Sequence, residues 1–308
     1  MMKRASMGTF SPKHSSKDGV RSISLPTRSH PSTVRIEEEL NKLKSWETSS
    51  SFTSRVGTIC FGLSGLAELY KCIEDLLKLP LTQQALCQHQ NEKWVNELLD
   101  FPLGFLDLLG KTRDAILLMK ASIEELQSAL RRRRVGDLDM ESQYWSLRRN
   151  MRKECTKFLL LLKQMDHESF GASPPMDLND HLIAVVRVVR EASWITSSIF
   201  QSLVVFLSSP TLKLKPNKWV FVSRLMQKGV FACNNHQGNI NELEKVDFAL
   251  NSLVVDNLSK DAEAEKIQSA HGRLEALVVA IEEIENGLEC LFKRLINTRV
   301  SFLNIFSP

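Results

Sequence analysis

Apolar residues recur along most of this chain at intervals of three or four, the spacing that places them on one side of an α-helix. Ile36, Leu40, Leu43 and Trp46 form the first such stripe, after a start at Pro31-Ser32-Thr33 with Glu37, Glu38 and Glu39 in the early turns. A second stripe runs through Leu63, Leu66, Leu69, Ile73 and Leu76 and predicts a helix over 53–79, ended by Pro80. Gly57, Gly62 and Gly65 weaken the start of that helix but allow a neighbour to come close. A third segment over 82–99 meets a predicted break at Phe101-Pro102. Beyond it, a long helix over 103–134 carries Leu106, Leu109, Ile116, Ile123, Leu126 and Leu130 on one face.

Further helices are predicted over 140–165, 178–207, 217–227 and 240–258. The last helix has the strongest pattern. Ile267, Leu274, Ile281, Leu288, Leu295 and Phe302 recur every seven residues, with Ala270, Leu277, Ile284, Leu291, Thr298 and Ile305 in the complementary positions. That is a seam of period 3.5, widened by Val278 and Phe292 beyond a two-stranded stripe. It suits a helix packed lengthwise in an intramolecular bundle better than one side of a homodimeric coiled coil. Strand propensity is confined to Leu203–Leu207 and Trp219–Val222, both within helical surroundings. The expected fold is all-α: a multi-helix bundle with long antiparallel helices.

Charge separates the ends from the body. Of 40 Lys/Arg and 36 Asp/Glu, seven basic residues and one acid, Asp18, fall between Met1 and Arg35. The arm over 1–31 is Ser-rich and poor in apolar residues, so it is expected to be disordered. The expected organisation is that arm followed by a helical body over 32–308, with a Gly/Pro linker near 166–177 that could divide the body into two sub-bundles. The near-neutral body argues against a broad nucleic-acid face. Six scattered cysteines without a CxxC pair read as buried thiols of a reducing compartment. The most apolar run, Ala192–Leu207, is too short for a membrane span. The expected location is cytoplasmic; the alternatives are a plastid, from the transit-like composition of the arm, and the nucleus, from the split basic run at Arg131–Arg134 and Arg148–Lys153.

Motifs with chemistry are few. Neither phosphate-binding glycine loop occurs, and Gly62-Leu63-Ser64-Gly65 reads as helix packing. His167 and His181 stand beside acids, but sequence neighbours point apart on a helix, and no second metal ligand accompanies them. His181 reads as a surface or capping residue. Glu282, Glu283 and Glu285 read as a solvated face. No cofactor, metal or catalytic site is expected. Arg131, Arg132, Arg133 and Arg134, followed by Arg148, Arg149, Arg152 and Lys153, form a candidate basic patch, read first as a helix end and solvated helix face. The arm holds the sharpest motif. Arg21-Ser22-Ile23-Ser24-Leu25-Pro26 fits the R-S-x-S-x-P pattern that 14-3-3 proteins bind once Ser24 is phosphorylated. A phosphate there adds nearly two negative charges for an arginine cluster, and Pro26 turns the chain out of a groove.

Several segments resemble a plant-specific family of unknown function grouped with the BYPASS proteins. They are Arg21–Pro31, Leu40–Trp46, Leu69–Ala85, Ile123–Arg133 and Leu288–Val300. Phe101–Phe105 departs from that pattern. The resemblance implies a role in root and shoot development and transfers no catalytic residues. The expectation is a non-enzymatic helical interaction or adaptor protein with protein partners, monomeric rather than homodimeric. The alternatives are a weakly membrane-associated adaptor, meeting anionic lipid through the arm and Arg131–Arg134, and an enzyme whose site assembles only in the fold.

Overall fold

The predicted apolar stripes become helices wherever the chain is described. The computed structural model describes residues 31–50, 55–132, 138–168, 179–209, 240–254 and 260–307. These hold eight helices: α1 Pro31–Ser50, α2 Val56–Leu77, α3 Pro80–Cys87, α4 Lys93–Arg131, α5 Leu138–Glu168, α6 Asp180–Leu207, α7 Glu242–Val254 and α8 Lys260–Phe306. No strand occurs among the described residues. Leu203–Leu207 forms the last turn of α6, where burial of Leu203, Val204, Phe206 and Leu207 overrides β propensity. Of the arm expected over 1–31, only Pro31 is described, as the start of α1, and of the linker expected near 166–177, residues 166–168 belong to α5; the rest of both and the helix expected over 217–227 lie outside the described residues.

α8 is the axis of the bundle. Eleven of its twelve seam residues are buried, and Ile267 is half-buried. α8 packs against α2, α4, α7 and, at its C-terminal end, α3. Against α4 it runs antiparallel: Arg299 donates to Leu99 O (2.9 Å) at one end, and Arg131 approaches Glu275 (3.7 Å) at the other. Against α2 it runs parallel, with Gly287 beside Leu63 and Arg294 beside Glu74 (3.7 Å). α1 packs antiparallel to α2 on its other side, where Trp46 Nε1 donates to Thr58 O (2.7 Å). A single hydrophobic cluster draws on all eight helices, and residues 31–308 make one compact unit.

The α1–α2–α6 contact depends on a missing side chain. A Cβ on Gly62 would lie 3.1 Å from both Ile199 and the Trp46 ring, so those two side chains rest directly against the α2 backbone there. Near it, the buried Tyr70 hydroxyl meets Thr196 Oγ1 (2.8 Å) and joins α2 to α6. By length and composition, α2 is also the one described helix that could cross a membrane, yet 56% of its most apolar window is buried in the bundle.

Some sequence expectations change. The predicted break at Phe101-Pro102 is absent: α4 continues through Pro102. Proline removes a backbone donor and crowds the preceding turn, exposing carbonyls that need other partners. The carbonyl deprived of its usual donor is Leu98 O, and Arg299 donates to the next one along, Leu99 O (2.9 Å), tying this turn to α8. The segment expected over 82–99 is instead the short α3, with Pro80 at its first turn, and a turn at 88–92 before α4. Cys72 and Cys155 are buried as expected, but Cys87 and Cys290 are exposed. Cys290 lies outside the α8 seam, and Cys87 ends α3, where its Sγ donates to Ile305 O (2.9 Å). His181 is a tertiary link, its Nε2 2.9 Å from Thr82 Oγ1 between α6 and α3.

Candidate anion-binding groove on α5 and its buried anchor

α5 divides sharply into an inner and an outer face. Tyr144, Met151, Cys155, Phe158 and Leu162 recur at helical spacing and are buried. Arg148 stands in the same register and is also fully buried, at 0% exposure. A guanidinium there needs compensation at nearly every donor. It finds most of it. Nε and Nη2 meet Asp247 Oδ1 and Oδ2 (3.3 and 3.0 Å), while Nη1 donates to Leu207 O (2.9 Å) and Nη2 to Ser209 O (3.1 Å). The Tyr144 hydroxyl donates to Asp247 Oδ1 (2.7 Å).

This constellation ties α5 to the end of α6 and to α7. Asp247 is equally buried and sits in the inward stripe of α7 with Leu243, Val246 and Leu250. Ser209 Oγ donates to Phe206 O (2.9 Å) and accepts from Asn241 Nδ2. Asn241 caps α7: its Oδ1 accepts from Glu244 N (2.9 Å), and its own N–H donates to Glu244 Oε2 (3.1 Å). That reciprocal pair is a capping box. Arg148 thus places positive charge on the carbonyl end of α6, where the helix dipole is negative. Burial pushes the Tyr144 hydroxyl well above its ordinary pKa, with the Asp247 charge adding to the shift. Burial also raises the Cys155 thiol to about 12, against the opposing pull of Arg148. Neither group is poised as a nucleophile or base near neutral pH.

The outer face of α5 is different. Arg149, Arg152, Lys153, Thr156 and Leu159 line an open groove of about 450 Å³, closed on one side by Ser208. Ser208 lies between the two residues whose carbonyls Arg148 holds, so the buried pair sets the position of the groove wall. Adjacent arginines therefore have opposite roles, Arg148 inside and Arg149 in solvent. A smaller cavity lies between α4 and α6, lined by Trp94, Glu97, Phe101 and Ser193. At about 20 Å³ it has the size for a single water.

The candidate residues from the sequence fall in several places. Arg21, Ser22, Ser24 and Pro26 lie outside the described residues, as do Arg133 and Arg134. Arg131 is engaged with α8: its Nε donates to His271 Nε2 (2.8 Å), and Glu275 is beside it. Arg132 caps α4, its N–H donating to Ser128 O (3.3 Å). Glu282 and Glu285 face Lys120 (2.9 and 3.9 Å). Among the described residues, no three His, Cys, Asp or Glu side chains are grouped to hold a metal. The reading of Arg148 as part of a solvated face is wrong. The available signal was a charge standing in the apolar register of α5, matched by Asp247 in the apolar register of α7.

Fold and site together define an all-α bundle protein with a closed internal ion pair and a basic surface groove. The model of the BPS1 family (Protein BPS1) matches residues 62–305, most of the chain, and the chain belongs to that family. This is the BYPASS-related plant family that the sequence segments resemble, and membership suggests a developmental role in plants. No curated protein and no solved structure matches the chain.

Proposed function

We propose that this chain is a non-enzymatic interaction protein acting in root and shoot development, binding protein partners through its surface and regulated through Ser24. One observation carries the reading: the polar groups with the most catalytic character are directed at one another. Arg148, Asp247 and Tyr144 are buried, and their named hydrogen bonds are internal. An enzyme needs such groups at a cleft with room for a reacting atom. The accessible polar feature is instead the α5 groove, whose composition suits binding.

Regulation rests on Arg21, Ser22, Ser24 and Pro26. Phosphorylated Ser24 would present a doubly charged group to an arginine-lined partner of the 14-3-3 type in the cytoplasm. The test is affinity purification of the full chain from plant tissue, with and without phosphatase, beside Ser24→Ala. The expected result is a set of partners lost on phosphatase treatment and absent from the variant. Identical partners in every arm would remove Ser24 regulation, and a substrate consumed by the purified chain would remove the non-enzymatic reading.

A further inference from the structure

The outer face of α5 carries positive charge that the rest of the described molecule does not balance. Many surface cations sit against acids, as Lys44 does with Glu191, Lys120 with Glu282, Lys157 with Glu154 and Arg187 with Glu37; what sets the α5 face apart is three cations together without one. Arg149, Arg152 and Lys153 make no ion pair among the described residues. The nearest buried charges cancel, since Arg148 is matched by Asp247. The 30 residues between Ser209 and Ile240 hold five Lys/Arg and no Asp or Glu, so they bring no neutralising carboxylate. Three cations at positions i, i+3 and i+4 stand on one side of a helix, within reach of a common anion.

We propose that this groove docks an extended, phosphorylated peptide segment of a partner protein, its phosphate held by Arg149, Arg152 and Lys153. The proposal rests on the reading of the chain as an interaction protein and names the chemistry of one partner. Two guanidinium forks and an ammonium match the oxygens of a phosphate. The Thr156 and Ser208 hydroxyls donate to Arg152 O and Val205 O (3.0 and 3.2 Å), which leaves the phosphate to the three cations, and half-buried Leu159 offers apolar contact to a side chain beside it. The groove is open and holds about 450 Å³, room for a phosphorylated side chain with its neighbours. None of its lining residues is aromatic, so it lacks the stacking platforms that hold single-stranded nucleic acid. The arm of a second copy is a poor occupant, because Arg21 and Arg28 flank Ser24 with like charge. The partner segment carries acidic flanks instead.

Fluorescence anisotropy of the purified full chain tests this, with a fluorescein-labelled peptide bearing one phosphoserine among glutamates. The expected result is saturable binding, weakened more than about tenfold by removing the phosphate or by Arg149→Gln/Arg152→Gln/Lys153→Gln. Arg149→Lys/Arg152→Lys keeps the charge and loses the forks, so it should bind at intermediate strength; Lys157→Gln should bind as the parent does. Circular dichroism melting of each variant verifies the fold. Equal binding of the unphosphorylated peptide, or full binding by the folded triple variant, overturns the proposal. So does a requirement for the three cations that appears only with phosphatidylserine vesicles or a single-stranded oligonucleotide. All arms carry Ser24→Ala, so failure here leaves docking through the arm standing, and failure there leaves the groove standing.

Discussion

Asp247→Asn would strip the charge from one side of a fully buried pair while leaving Arg148 ionised. Removing one partner of such a pair costs about 3–5 kcal/mol, because the other charge stays buried without its counterion. Chemical denaturation should show a loss of that order, whereas Arg148→Met with Asp247→Leu should lose much less. A double variant as unstable as Asp247→Asn would deny that the pair acts as a unit. Gly62→Ala inserts a methyl against Ile199 and Trp46, both buried, and should cost about 1–3 kcal/mol by overpacking. Glu74 gives a pH signature. Burial raises its carboxyl above the ordinary range, opposed by Arg294 and Lys78, and its Oε1 is buried without a hydrogen bond. The folded state therefore holds that proton more tightly than the unfolded chain. Its contribution to stability is present at low pH and lost as pH rises from the ordinary carboxyl value through the raised one. Urea midpoints taken across that window should fall in the parent and stay flatter in Glu74→Gln.

Among the elements, α4 gives the clearest case of tertiary structure overriding a local rule. Pro102 argues for a boundary, and in isolation the argument is sound. The helix persists because α8 lies alongside and Arg299 reaches Leu99 O. Arg299→Ala should cost about 1.5–3 kcal/mol, the range for a hydrogen bond from a charged donor. Chemical denaturation checks this, and a loss below about 0.5 kcal/mol would deny the bond a stabilising part. The same distinction explains what could be read beforehand. Long periodic stretches in α2, α4, α5, α6 and α8 declare themselves, because burial acts on every turn. The α3–α4 turn and the passage through Pro102 depend on contacts with residues some 200 positions away. The basic groove is half visible in the sequence, where its cations stand as a cluster. Their division into Arg148 inside and Arg149, Arg152 and Lys153 outside follows only once the register of α5 is compared with that of α7.

For the molecule as a whole, one continuous core predicts one unfolding event. Leu288 in α8 and Leu203 in α6 are both fully buried in the same cluster. Leu→Ala at either site should cost about 2–5 kcal/mol and shift a single calorimetric transition, with equal van't Hoff and calorimetric enthalpies. Two separable transitions, each moved by one variant only, would show that the linker near 166–177 divides two cooperative units. Native-state labelling gives a second global reading: maleimide should modify Cys290 readily and leave Cys72 and Cys155 untouched until the chain unfolds.

The parallel pairing of α2 with α8 also bears on how the protein is made. A ribosome releases α2 some 200 residues before its neighbour emerges, and until then the side of α2 where Leu63 will meet Gly287 has no mate. A nascent chain stopped before residue 260 should therefore remain protease-sensitive and bound to chaperones, instead of settling into a smaller native domain.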